Sequence, residues 1–141
     1  MIFFLNSNIA VSDPAIKHVL DGLRQRDMYC HSYEYTGGYD ENDKFLGDGH
    51  RVILTRSNML TRENINDPAC IVDINPMKVI LTIKKNRKSN SEIISKYTFE
   101  RLFSDPGYVL VTYNEDGEIE YKEGPLYYID KFIKGELAKE E

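Results

Sequence analysis

His50 and Arg51 are the residues whose types and placement most invite chemistry. A Gly47-Asp48-Gly49 turn delivers them to a stretch that runs without Gly or Pro to Asp67. If that stretch is helical, His50 lies in the first turn, where unpaired backbone N–H groups and the positive end of the dipole favour an anion. A titratable imidazole beside such an anion site is the most suggestive chemistry in the chain. The charge pattern adds to this. Between Arg51 and Lys88, eight Lys or Arg face three Asp or Glu, while the rest of the chain holds ten basic and twenty acidic residues. A basic middle in an acidic frame focuses a small anionic ligand. Arg51, Lys85 and Lys88 are candidate ligand contacts on that ground. Asn6, Ser7 and Asn8, small polar residues after an apolar run, are candidates at a strand end.

Composition sets the limits of these readings. With 141 residues, 41% apolar and 29% charged, the chain fits one domain spanning residues 1–141, with room for a hydrophobic core. A net charge of −5 argues against general nucleic-acid binding. No apolar run is long enough to span a bilayer, and the opening MIFFL lacks the basic flank and length of a secretion signal. Cys30 and Cys70 have no metal-ligand spacing, so neither zinc nor another cofactor is expected, and a reducing cytoplasm is the simplest setting. GxSxG, GxGxxG, HExxH and Walker patterns are all missing.

The elements that would position these residues follow from local pattern. Ile2–Leu5 reads as a buried strand, and Asp13-Pro14 starts a helix with Ile16, Val19, Leu20 and Leu23 on one face. His18 falls on its surface. Met28–Thr36 is strand-like, and Gly37–Asp43 is a polar loop. His31 shows no partner. Positions 52, 53, 56, 59 and 60 fit a helical face, so a helix is expected after His50, although Val52, Ile53 and Thr55 carry strand propensity. Cys70–Ile74 and Met77–Ile83 read as an antiparallel pair. A helix over Ser95–Phe103 follows, with Ser89 and Glu92 as a capping box or Ser95 as a rival cap. Tyr108–Tyr113 and Glu118–Lys122 form a hairpin across Asn114–Gly117, and Pro125 opens a last helix. The expected layout is α+β, in the order β-α-β-α-β-β-α-β-β-α, with helices packed on a mixed sheet.

In this order, residues 2–113 resemble the viral ring nucleases, anti-CRISPR enzymes that degrade cyclic tetra-adenylate. The likeness lies in FFLNSN at Phe3–Asn8, an aromatic residue (Phe45) before Gly49-His50, a helix over Arg51–Asn64, and two strands leading into the basic loop Lys84–Asn90. The resemblance implies a metal-independent cleavage in which a ribose 2′-OH attacks the adjacent phosphate. His50 would protonate the leaving oxygen, Arg87 would clamp the phosphate, and Glu92 would act as base or orient Arg87. It also implies a homodimer binding the symmetric ring across its axis. Arg87 and Glu92 are spaced more widely than in the family, which leaves open a sponge that binds a small phosphate messenger without cutting it. The resemblance does not reach residues 114–141, where Glu115, Asp116, Glu118, Glu120 and Glu123 allow a third reading. In that reading an acidic viral protein inhibits a host protein by direct contact.

Overall fold

A computed structural model describes residues 13–39, 41–56, 67–88, 92–102 and 107–137. Nine strands and two helices occur among them: α1 (Pro14–Arg24), β1 (Met28–Tyr35), β2 (Gly38–Tyr39), β3 (Phe45–Gly47), β4 (His50–Arg56), β5 (Ala69–Ile74), β6 (Lys78–Lys84), β7 (Ile93–Leu102), β8 (Gly107–Tyr113), β9 (Ile119–Glu123) and α2 (Pro125–Ile133). Seven strands form one antiparallel sheet in the order β1-β4-β5-β6-β7-β8-β9, and β2 pairs with β3 beside it. The class is α+β, mostly sheet.

Two expected helices are strands. Residues 50–56 form β4, hydrogen-bonded between β1 and β5. His50, Val52 and Leu54 are buried on one face while Arg51 is exposed on the other, the period of two that a strand imposes. A strand flanked on both sides satisfies every backbone group through its neighbours, so β-branched Val52, Ile53 and Thr55 outweigh the weak helical spacing. The remainder of that expected helix, 57–64, lies outside the described residues. The helix expected over Ser95–Phe103 is β7, paired with β6 from Ile93↔Lys84 to Glu100↔Lys78. Phe99 points inward between exposed Glu100 and half-buried Thr98, so the capping role given to Ser95 does not arise; Ser89 lies outside the described residues. The strand expected at Ile2–Leu5 also lies outside the described residues.

Gly37–Asp43, expected as a loop, contains β2, which pairs with Phe45–Gly47 as β3; α1, β1, β5, β6, β8, β9 and α2 form where local pattern placed them. Asp13 caps α1, its carboxylate accepting from Ala15 N and Ile16 N. Burial disfavours that charge, but the Arg101 guanidinium and the two backbone N–H groups hold the carboxyl below its usual range. Arg101 also donates to Pro76 O at 3.1 Å, and the Tyr108 hydroxyl donates to Asn75 O at 2.7 Å. The start of α1 is thereby fixed to the β5–β6 turn, β7 and β8. Both helices cover one face of the sheet. Ile16, Leu23, Ile129 and Phe132 pack with Val52, Leu54, Val72, Leu81 and Phe99 in a single core. Gly22 lets the helices touch, since a Cβ there would meet Leu126 Cδ1 at 2.4 Å. Arg26 ties them through a forked pair to Asp130 at 2.7 and 3.1 Å.

Candidate functional site

His50 owes its position to a glycine crossing. Thr36 N donates to Gly49 O at 2.7 Å, and a Cβ on Gly37 would stand 2.0 Å from Gly47 O, so the two backbones meet only without a side chain there. His50 then opens β4 opposite Tyr35 on β1 and Ile74 on β5. Its ring is 1% exposed, on the face covered by the helices. The Tyr33 hydroxyl lies 2.6 Å from Nδ1, and the Tyr35 ring meets the imidazole edge-on at 5.3 Å. Tyr35 donates in turn to Asp48 Oδ1 at 2.9 Å. Nε2 is buried without a hydrogen-bond partner among the described residues. Burial lowers the pKa of the ring although Asp48 pulls it upward, so the neutral imidazole is the favoured form. No helix N-terminus stands there, so the anion site expected around His50 has lost its physical basis.

The expected phosphate ligands lie elsewhere. Arg87 extends from the β6–β7 connection and donates from Nη1 to His31 Nδ1 at 2.7 Å. A guanidinium only donates, so Nδ1 carries the lone pair and the imidazole proton sits on Nε2, which donates to Thr55 Oγ1 at 2.9 Å. The Tyr29 ring packs edge-on against His31 at 4.7 Å. Burial, then the Arg87 charge, depresses the His31 pKa to about 4. Beside this group, burial raises the pKa of Asp67 against the opposing pull of Arg87 and Arg56. Lys85 and Lys88 are exposed on the same connection, which Lys85 N closes by donating to Glu92 O at 2.9 Å. Arg51 is committed on the outer face to a forked pair with Asp73 at 2.7 and 3.1 Å. Asn6, Ser7 and Asn8 lie outside the described residues.

Strand geometry separates the two histidine clusters. His50 and Thr55 stand five positions apart on β4. At about 3.3 Å per residue that is roughly 17 Å, and an odd offset puts their side chains on opposite faces. Arg87, Glu92, Lys85 and Lys88 therefore share one connection, and His50 is not with them. His31, which had no visible role in the sequence, is the residue that anchors Arg87. No sequence signal marks that pair. Burial pushes the Cys30 thiol up to about 11 and raises Cys70 further, which disfavours the thiolate at both.

Comparisons with family models, curated proteins and solved structures find no match for this chain.

A different surface is left open at the β8–β9 hairpin. Its turn is firmly built: Asn114 Oδ1 accepts from Asp116 N at 2.9 Å and Glu118 N at 3.0 Å, and Gly117 takes φ +80°. Tyr113 and Ile119 are direct cross-strand partners and, at 64% and 60%, the two most exposed large apolar residues described. Around them Glu115, Asp116, Glu118 and Glu120 are exposed, with Lys122 the single base between Thr112 and Glu123. Among the described residues no helix is long and apolar enough to cross a membrane.

The His31 cluster gives stability a definite pH dependence. The folded pKa of about 4 lies below the unbound value of 6.5, so the fold favours the neutral ring. Its contribution is complete above pH 6.5 and is lost as pH falls through about 4, because the unfolded chain binds the proton first. Chemical denaturation across that range is expected to show stability falling with acid, with a shallower fall in His31→Gln. Equal slopes would mean that His31 titrates alike in both states.

Proposed function

We propose that this chain is a binding protein that engages a basic surface of another protein through the β8–β9 hairpin. The observation that carries this is the Tyr113–Ile119 pair, exposed where β8 and β9 meet a turn whose Glu115, Asp116 and Glu118 are exposed as well. An apolar centre in a charged rim is the layout of a protein contact, with tyrosine a frequent anchor. The carboxylates steer a basic partner and reject acidic ones. Cleavage of a cyclic oligoadenylate asks more of the chain, since it needs His50 and Arg87 at one phosphate, and they stand on opposite faces of the sheet. A sponge for a phosphate messenger would draw on Arg87, Lys85 and Lys88 alone, and Arg87 already holds His31.

The test places a photo-cross-linking phenylalanine at Tyr113 and, as control, at Lys17 on the exposed side of α1. In extract from the cells where the protein works, position 113 is expected to give discrete adducts that position 17 does not. Glu115→Lys with Glu118→Lys should remove them, and salt should weaken them, because exposed charges are screened over about 8 Å at physiological ionic strength. Identical adducts from both positions, or adducts indifferent to charge reversal, would overturn the reading.

A further inference from the structure

A cavity of about 320 Å³ lies at the root of the β8–β9 hairpin, walled entirely by described residues. One face of α1 (Ala15, Val19), the first residues of β8 and the passage from β9 into α2 enclose it. Gly107 is part of the wall. A Cβ there would meet nothing within 4 Å, and its φ lies outside the left-handed region. Four lining side chains carry polar groups. The Tyr108 hydroxyl is committed to Asn75 O at 2.7 Å, and the Tyr127 ring lies 5.2 Å from Lys131 Nζ. The half-buried Glu123 carboxylate and the His18 imidazole hold no hydrogen bond or ion pair with any described residue. Partial burial strips water from a carboxylate, and a cation brought to it restores that stabilisation. The first turn of α2 also faces the cavity. Its N-terminus amounts to about half a unit of positive charge, against a full negative charge on Glu123. Lys131 is paired with Glu136 at 3.6 Å and does not line the cavity. The net charge of −5 adds a long-range pull on cations.

We propose that this cavity binds a small organic amine, with its ammonium group at Glu123 and its apolar body against Ala15, Val19 and Leu126. The site is separate from the hairpin tip, and the inference does not depend on the partner contact there. An ammonium group has three donors and no acceptor, so Glu123 takes one N–H and an imidazole nitrogen of His18 can accept another. A volume of about 320 Å³ is at the small end of ligand sites, which run from about 300 to 1,000 Å³. It suits a single ring on a short amine arm.

The test titrates 2-phenylethylamine into the full chain labelled with nitrogen-15, with 2-phenylethanol and 3-phenylpropionate as neutral and anionic counterparts. The amine is expected to shift the backbone amides of Val19, Tyr108, Leu126 and Tyr127 and to bind at least about tenfold more tightly than either counterpart. Glu123→Gln should bring the amine down to the affinity of the alcohol. Gly107→Leu, which grows a side chain from the cavity wall, should weaken the amine by at least about tenfold. Glu123→Gln keeps the shape of the site and decides the outcome should Gly107→Leu not fold. Equal binding of amine and alcohol, or an unchanged amine affinity in Glu123→Gln, would overturn the proposal. Tighter binding of the carboxylate would overturn it as well, by assigning the cavity to an anion at the start of α2. The absence of shifts at these amides with the amine at about 10 mM would overturn the cavity as a ligand site.

Discussion

His50→Ala is expected to destabilise the fold by about 2–4 kcal/mol, the cost of truncating a large side chain in a packed core. The ring is 1% exposed, and its removal also strands the Tyr33 hydroxyl, which now lies 2.6 Å from Nδ1. A part-buried hydroxyl that loses this partner adds to the loss, so His50→Ala with Tyr33→Phe should be less damaging than the sum of the two single changes. Urea denaturation of the four proteins measures this coupling. A general acid in phosphodiester cleavage makes the opposite prediction. His50→Ala would then keep a stable fold, and cleavage of cyclic tetra-adenylate would slow by about 10²–10⁴. A stability change within about 0.5 kcal/mol would place His50 outside the load of the core and return it to the list of reactive residues.

Ile119→Lys is expected to abolish partner binding while leaving the fold intact. At 60% exposure the side chain contributes little to the core, so stability should move by no more than about 0.5 kcal/mol. Binding should weaken by about 30-fold or more, the effect of losing a central apolar anchor of at least about 2 kcal/mol. The added cation also neutralises part of the rim formed by Glu118 and Glu120. Tyr113→Ser should act in the same direction, because the two side chains face each other across the hairpin. Loss of the position-113 adducts cannot be read in that variant, so the cross-linker moves to Glu115 for the measurement. Undiminished adducts in both variants would show that the Tyr113–Ile119 pair is not the anchor of the contact.

Some of this architecture is written locally in the chain. Asp13-Pro14 marks the start of α1 because the cap bonds its own first turn. Asn75-Pro76 and Asn114–Gly117 mark turns for the same kind of reason, each closed by side chain or backbone within a few residues. Composition set the size of the core and the basic and acidic segments. Where a segment's partners are distant, local pattern misled. Val52–Arg56 and Ser95–Leu102 carry apolar spacings compatible with a helix, yet each is a strand, the first paired with β1 and β5 and the second with β6 and, at its end, β8. That outcome decided the site as well. A helix would have turned His50 toward an anion, whereas a strand sends alternate residues to opposite faces, placing His50 in the core and Thr55 on the other side. Arg87 then meets His31, a residue 56 positions away that no spacing rule connects to it. Tyr113 and Ile119 are ordinary strand residues in sequence, and only the fold leaves them exposed as cross-strand partners. The Asp13 cap and the turns at Asn75 and Asn114 are legible in the chain alone, because those interactions close within a few residues. Tertiary structure alone decided which side chains share a face, because strand pairing brings together residues far apart in the chain.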